Sequence, residues 1–176
     1  MQTIVSLALL SVFLGMSLGG MDSILHSQSG EKALEKIAFS IRYARSEAVK
    51  NAGLVTICRS SDGSGCSGSW QQGHIVFTDI NGDGQLNQND RLLLWVEHNR
   101  VNGSIRWRAF QNRQYLQMTS LGFTRYQNGN FTFCPVDGDS RKIQQLVVNR
   151  AGRLRYAKDA DGDGRVDDSR GRPVNC

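Results

Sequence analysis

The chain has 176 residues, 21 basic and 16 acidic side chains, a formal charge of +5 and a pI near 9.3. That length holds one globular domain plus an anchor and buries a core without disulfide staples, which excludes both a stapled miniprotein and an array of domains. The basic balance points to an anionic partner or surface, although net charge bears on solubility and attraction rather than on fold.

Residues 3–21 carry no charge. At ~1.5 Å per residue the run spans close to ~30 Å of hydrocarbon, so a transmembrane or filament-core helix is expected there. Gly15, Gly19 and Gly20 weaken it by about 1 kcal/mol each relative to alanine. A cleaved signal ending near residues 17–20 is the alternative, but no Lys or Arg precedes Lys32 to form its basic n-region.

From Glu31 onward the apolar residues Leu34, Ile37, Ala38, Ile41, Ala44, Ala48 and Val49 follow the spacing of one helix face, with the charges opposite. Asn51 and Gly53 supply the stop, Gly53 being suited to a left-handed cap. The period then shortens toward two. Strands are expected at 54–59, 74–78, 92–96, 104–110, 115–118, 130–133, 144–149 and 153–156, separated by Gly-, Asn- and Asp-rich turns. The fold class is therefore α+β, a long N-terminal helix packed on an antiparallel β-sheet head. Residues 1–21 form its transmembrane or filament-core half, 22–52 its amphipathic half and 53–176 the head.

Four cysteines, Cys58, Cys66, Cys134 and Cys176, permit three disulfide pairings. The eight-residue step from Cys58 to Cys66 suits a small closed loop and leaves Cys134 to tether Cys176. Zinc is the rival reading, yet no histidine stands near in sequence to complete a site. Disulfides place the head in an oxidising compartment, the periplasm or exterior.

Residues 79–90 follow the spacing of a calcium loop, with side-chain oxygens from Asp79, Asn81, Asp83 and Asp90 and the carbonyl of Gln85. Calcium is the only cofactor this pattern suggests; the rival reading is a solvated Asx-rich turn. A second run, residues 159–164, begins similarly but ends its twelve on Arg170, and is expected to be only a turn. His26, His74 and His98 are scattered over different segments without ligand spacing and read as surface or packing residues. Neither a nucleophile elbow nor a phosphate loop is present, and nothing argues for catalysis.

Between His98 and Lys158 stand eleven Lys or Arg and only two acids, Asp137 and Asp139, so the basic character is regional. Arg106, Trp107, Arg108, Phe110, Arg113 and Tyr115 interleave guanidinium groups with rings, a pattern that serves nucleic acid or simple core alternation equally. Arg150, Arg153, Arg155 and Lys158 fall on or beside the last expected strand. Arg153 and Arg155 share a face there, so both can meet one phosphate backbone. Asp159, Asp161 and Asp163 would oppose phosphate unless calcium or Arg165 neutralises them.

The apolar N-terminal helix, the Ala44-Arg45-Ser46-Glu47-Ala48 box, the Cys58 strand, the Gly73-His74-Ile75-Val76-Phe77 strand and the Asp79 loop together resemble the GspH/FimT-like minor pilins and pseudopilins. Gly152-Arg153-Leu154-Arg155 looks like the GRxR motif of the FimT-type members. The resemblance implies a pilin-like fold and a single-pass inner-membrane protein with a periplasmic head. It further implies assembly with other pilin or pseudopilin subunits into a type IV pilus or type II secretion pseudopilus, at or near the tip. It also implies double-stranded DNA as a partner for the GRxR segment. A periplasmic calcium-binding module is a further alternative. The family glutamate that follows the prepilin-peptidase cut aligns near Gln2, counting back from the Ala44 box, and its helix-bending proline near Gly19.

Overall fold

Helix α1, Met21–Lys50, opens the computed structural model, which describes residues 21–176. Residues 1–20, with Gln2, Gly19 and nearly all of the expected membrane-spanning run, lie outside the described residues. Among the described residues no helix is long and apolar enough to cross a membrane.

The helix face expected from the spacing is the buried one: Leu34, Ile37, Ala38, Ile41, Ala44 and Ala48 are almost fully enclosed, joined by Ala33. Val49 departs from that stripe and is 52 % exposed, because it stands one residue round the helix from the buried Ala48. The left-handed residue is Ala52 (φ 48°), one position before the expected glycine. Gly53 N–H instead reaches back to the Ala48 carbonyl at 3.1 Å and Ala52 N–H to that of Val49 at 3.4 Å, the paired closure of a Schellman turn.

The eight expected strands form with ends shifted by one or two residues. They are β1 Val55–Arg59, β2 Gly73–Thr78, β3 Leu92–Glu97, β4 Gly103–Ala109, β5 Tyr115–Met118, β6 Gly129–Pro135, β7 Gln144–Val148 and β8 Leu154–Tyr156. They divide into two four-stranded antiparallel sheets, β3-β2-β1-β5 and β4-β6-β7-β8, so β5 returns to the first sheet between two strands of the second.

One core joins α1 to the inner faces of both sheets. Val55, Ile57, Val76, Leu116 and Met118 come from the first sheet, and Ile105, Trp107, Phe131, Phe133, Leu146 and Val148 from the second. Trp107 stacks on Phe131 with ring centroids 4.2 Å apart. Gly30 sets the distance between α1 and β6, since a Cβ there would lie 2.4 Å from the Phe133 ring. Every side chain from Gly73 to Phe77 is buried because the first sheet is covered twice. Its outer face carries Cys58, Ile75 and Phe77, flanked by their cross-strand neighbours Trp95 and Tyr115 and packed against Cys66 and Leu86, so the segments after β1 and β2 act as a second lid.

Candidate functional site

The cysteines pair as their spacing suggested, Cys58 with Cys66 and Cys134 with Cys176. The second bond has a spatial consequence. It ties the C-terminal residue to β6 and folds the tail across the outer face of the second sheet.

Alternation on β4 buries Ile105 and Trp107 and turns Arg106 and Arg108 outward. The interleaved aromatic residue Trp107 therefore belongs to the core and its arginine neighbours to the surface. Pairing carries the outward row across the sheet from Arg108 to Asn130, Val147 and Arg155. With strands ~4.8 Å apart, Arg108 and Arg155 stand roughly 14 Å from each other along that row. The tail supplies the opposite wall with Arg165, Arg170 and Arg172, enclosing a groove of about 720 Å³.

Six arginines line this groove, and the tail's acids engage two of them. Arg165 Nη2 donates to Asp163 Oδ2 at 2.6 Å, and Arg172 Nη2 to Asp168 Oδ2 at 2.8 Å. The Arg172 side chain, then the Arg170 and Arg172 backbone N–H groups, hold the Asp168 carboxyl down at about 2. Arg106, Arg108, Arg155 and Arg170 have no ion-pair partner among the described residues.

The four basic residues expected to meet DNA divide accordingly. Arg155 lines the groove, whereas Arg150, Arg153 and Lys158 stand exposed outside its lining. Arg153 lies just before β8, in the β7–β8 turn, where its N–H donates to Asn149 Oδ1 at 2.9 Å. Gly152 has φ 68° and a Cβ there would sit 2.9 Å from the Gly122 carbonyl oxygen, so the glycine of the GRxR segment answers a backbone requirement. Sequence spacing missed Arg106, Arg108, Arg165, Arg170 and Arg172 as groove partners, because only strand pairing and the second disulfide bring them to Arg155.

In the first acidic loop most side-chain oxygens accept hydrogen bonds, from the loop itself and from β1 and β5, and Asp79 Oδ1 is buried without a partner. Asp79 is buried, and its Oδ2 accepts from Thr56 Oγ1 at 2.5 Å, Gln117 Nε2 at 2.8 Å and Gly84 N–H at 3.1 Å. Asp90 accepts from Ile80 N–H and Asn87 N–H, both at 2.9 Å. Asp83 accepts from Gln85 N–H and from the side-chain amides of Asn81 and Asn87. Gln85 carries its side chain into solvent, and its carbonyl accepts from Asn87 Nδ2 at 3.3 Å. Among the described residues, three acidic side chains bring ligand atoms within 4.8 Å of one another in the second loop instead, at Asp159, Asp161 and Asp167.

Two of the three histidines, His74 and His98, meet in space. Pairing of β2 with β3 brings His74 Nδ1 to 2.9 Å from His98 Nε2, and His74 Nε2 lies 2.7 Å from Ser40 Oγ on α1. Ser40 and His74 have no solvent exposure, so the contact fastens helix to sheet rather than presenting an activated hydroxyl. Burial first, then the neighbouring His98 and Lys36, lowers His74 to about 3, while burial and Lys36 lower His98 to about 4. An unfolded imidazole titrates near ~6.5 and so takes up its proton first on acidification. Stability from these groups is fully present above about pH 6.5 and is lost progressively below it. Urea midpoints measured at pH 7 and at successively lower pH are expected to fall before the exposed carboxylates titrate. A midpoint flat to pH 4.5 would contradict a buried neutral pair.

Among the described residues one long helix laid against two antiparallel sheets, with a disulfide-tethered C-terminal tail, defines a pilin-type head. The family model described as Type II transport protein GspH matches residues 33–152, and the chain belongs to that family. The minor pilin FimU of the type IV pilus of Pseudomonas aeruginosa is a structural neighbour at 19 % identity and TM-score 0.57, covering 73 % of this chain and 87 % of FimU. The minor pseudopilin EpsH from the type 2 secretion system of Vibrio cholerae is another, at 10 % identity and TM-score 0.53, covering 76 % of this chain and 99 % of EpsH. No curated protein matched the chain.

Proposed function

We propose that the chain is a structural, non-enzymatic minor pilin or pseudopilin, held in the inner membrane with its head in the periplasm and then built into a type IV pilus or secretion pseudopilus. In this reading residues 1–21 supply the anchor and filament core, and the exposed apolar residues Phe39, Val49, Leu121 and Phe123 offer contacts to neighbouring subunits. Two disulfides agree with an oxidising compartment. A position at or near the tip would leave the arginine groove uncovered.

The groove supports the second part of the reading, binding of double-stranded DNA by the head. Four arginines without acidic partners on one concave face form an electrostatic footprint for a phosphate backbone, and each phosphate neutralised releases counterions. The full-length chain is expected in sheared filament and membrane fractions and is expected to retard duplex DNA at low salt. Changing Arg108 and Arg155 together to Gln should lower the slope of log affinity against log salt by about 2. The pair Arg153→Gln and Lys158→Gln should change it less. An unchanged slope in the first double variant would remove the groove from the reading. Absence of any shift at low salt would leave only the structural role, and recovery solely as a soluble periplasmic form would overturn that role too.

A further inference from the structure

We infer that residues 159–167 form a binding site for a divalent cation of the calcium class, with Asp159, Asp161 and Asp167 as its carboxylate ligands. The twelve-residue spacing obscures the site because its last position falls on Arg170. The third ligand comes earlier. Asp167 N–H donates to the Lys158 carbonyl at 2.9 Å and Asp167 forms a bridge with Pro173, which turns the chain back beside Asp159.

Two independent observations carry the inference. The first is convergence: ligand atoms of the three carboxylates lie within 4.8 Å of one another. Calcium–oxygen bonds of about 2.3–2.6 Å allow two ligands of one ion to stand up to about 5 Å apart, so one ion can reach all three. The second is an unanswered atom. Asp167 is only 4 % exposed; its Oδ2 accepts from Ala160 N–H at 2.9 Å, but its Oδ1 is buried with no hydrogen-bond partner. A buried carboxylate oxygen without a donor is costly, and a cation satisfies it.

The surroundings fit the same ion. Asp159 accepts from Gly162 N–H at 2.7 Å and Gly164 N–H at 2.8 Å, and Asp161 from Asp163 N–H at 3.1 Å. These backbone donors orient the carboxylates, and the positive charge close by is that of Arg165, which pairs with Asp163 and is also drawn by Asp161 and Asp167. Asp163 is held by Arg165 and Asp168 by Arg172, which leaves Asp159, Asp161 and Asp167 without an ion pair among the described residues. Asp159 and Asp161 are exposed, so water can complete the six to eight oxygens that calcium takes. The donor set is all oxygen and favours a hard cation over zinc. The site lies beyond the family-matched residues 33–152, and an ion there would pin the tail segment that walls the arginine groove.

The test is calorimetric titration of the chelator-treated full-length chain with calcium chloride, followed by thermal denaturation with and without the ion. One site is expected, in the range of extracellular modules, about 10⁻⁴–10⁻³ M, with a rise in melting temperature. Asp161→Asn and Asp167→Asn should each weaken binding by at least about tenfold. Asp161 is exposed, so its variant should melt like wild type in chelator, and Asp83→Asn in the first loop should bind calcium as wild type does. No binding at millimolar calcium would overturn the inference. So would binding that survives Asp161→Asn and Asp167→Asn but is lost in Asp83→Asn.

Discussion

Replacing Cys134 and Cys176 together by serine is expected to destabilise the head by about 4 kcal/mol, against about 2.5 kcal/mol for the Cys58 and Cys66 pair. The difference follows from loop length: the bonds close sequence separations of 42 and 8 residues, and the longer loop removes more freedom from the unfolded chain. Position adds a second effect. The Cys58–Cys66 loop belongs to the lid over Ile75 and Phe77, which apolar contact also holds down. The last residues of the tail have Val174 as their buried apolar anchor, plus the Val174 N–H bond to the Val166 carbonyl. Without the Cys134 bond the tail should open locally, losing Arg170 and Arg172 from the groove and exposing residues 159–176 to protease ahead of the strands. Urea denaturation of the two double variants, with limited proteolysis alongside, measures both effects. Equal losses, or a larger loss from the short loop, would contradict the chain-entropy account.

What could be read from the sequence was what depends on local period. Alternation located all eight strands, and the helical stripe from Leu34 to Ala48 named the buried face, because each signal lies within one element. Properties that depend on pairing were hidden. His74 and His98 stand 24 residues apart, and their contact follows from the β2–β3 register. Arg108 meets the row of Arg155 through two intervening strands, so no spacing along the chain announces it. The division into two sheets was hidden as well, since β5 resembles its neighbours in composition and only its partner β1 assigns it. Asp167 was missed for a related reason: a bridge to Pro173 closes its loop at a position that a linear template does not test.

The groove and the second acidic loop also act on each other electrostatically. Arg165 serves both, lining the groove while it neutralises Asp163. If the groove binds DNA as proposed, three further carboxylates beside it would repel the same polyanion that the arginines would attract. A divalent ion on Asp159, Asp161 and Asp167 would remove most of that opposition within a Debye length of the groove. Calcium bound in the tail and DNA bound on the sheet would then favour each other, and by linkage each would raise the affinity for the other equally.

Asp79→Ala is expected to cost about 3–5 kcal/mol through the donors it leaves unpaired, although the residue reads in sequence as the first oxygen of a surface loop. Its side chain is 1 % exposed and forms the junction of β1, β5 and the loop of residues 79–90. Truncation orphans the Thr56 hydroxyl and the Gly84 N–H, each costing about 1–3 kcal/mol unless water enters, and leaves the Gln117 amide with its 3.3 Å bond to the Gly82 carbonyl. Gln117 is itself committed, since its Oε1 accepts from Gln127 Nε2 at 3.0 Å, and so the loss should spread to the turn before β6. Asp79→Asn keeps an acceptor for these donors but removes the charge that strengthens them, so a smaller loss of about 1–2 kcal/mol is expected. Asp83→Asn, at the exposed lip of the same loop, should stay within about 0.5 kcal/mol of wild type. Urea denaturation at neutral pH ranks the three variants. A loss below about 1 kcal/mol for Asp79→Ala would mean that water replaces the carboxylate, and the loop would then be a solvated turn rather than a strut of the first sheet.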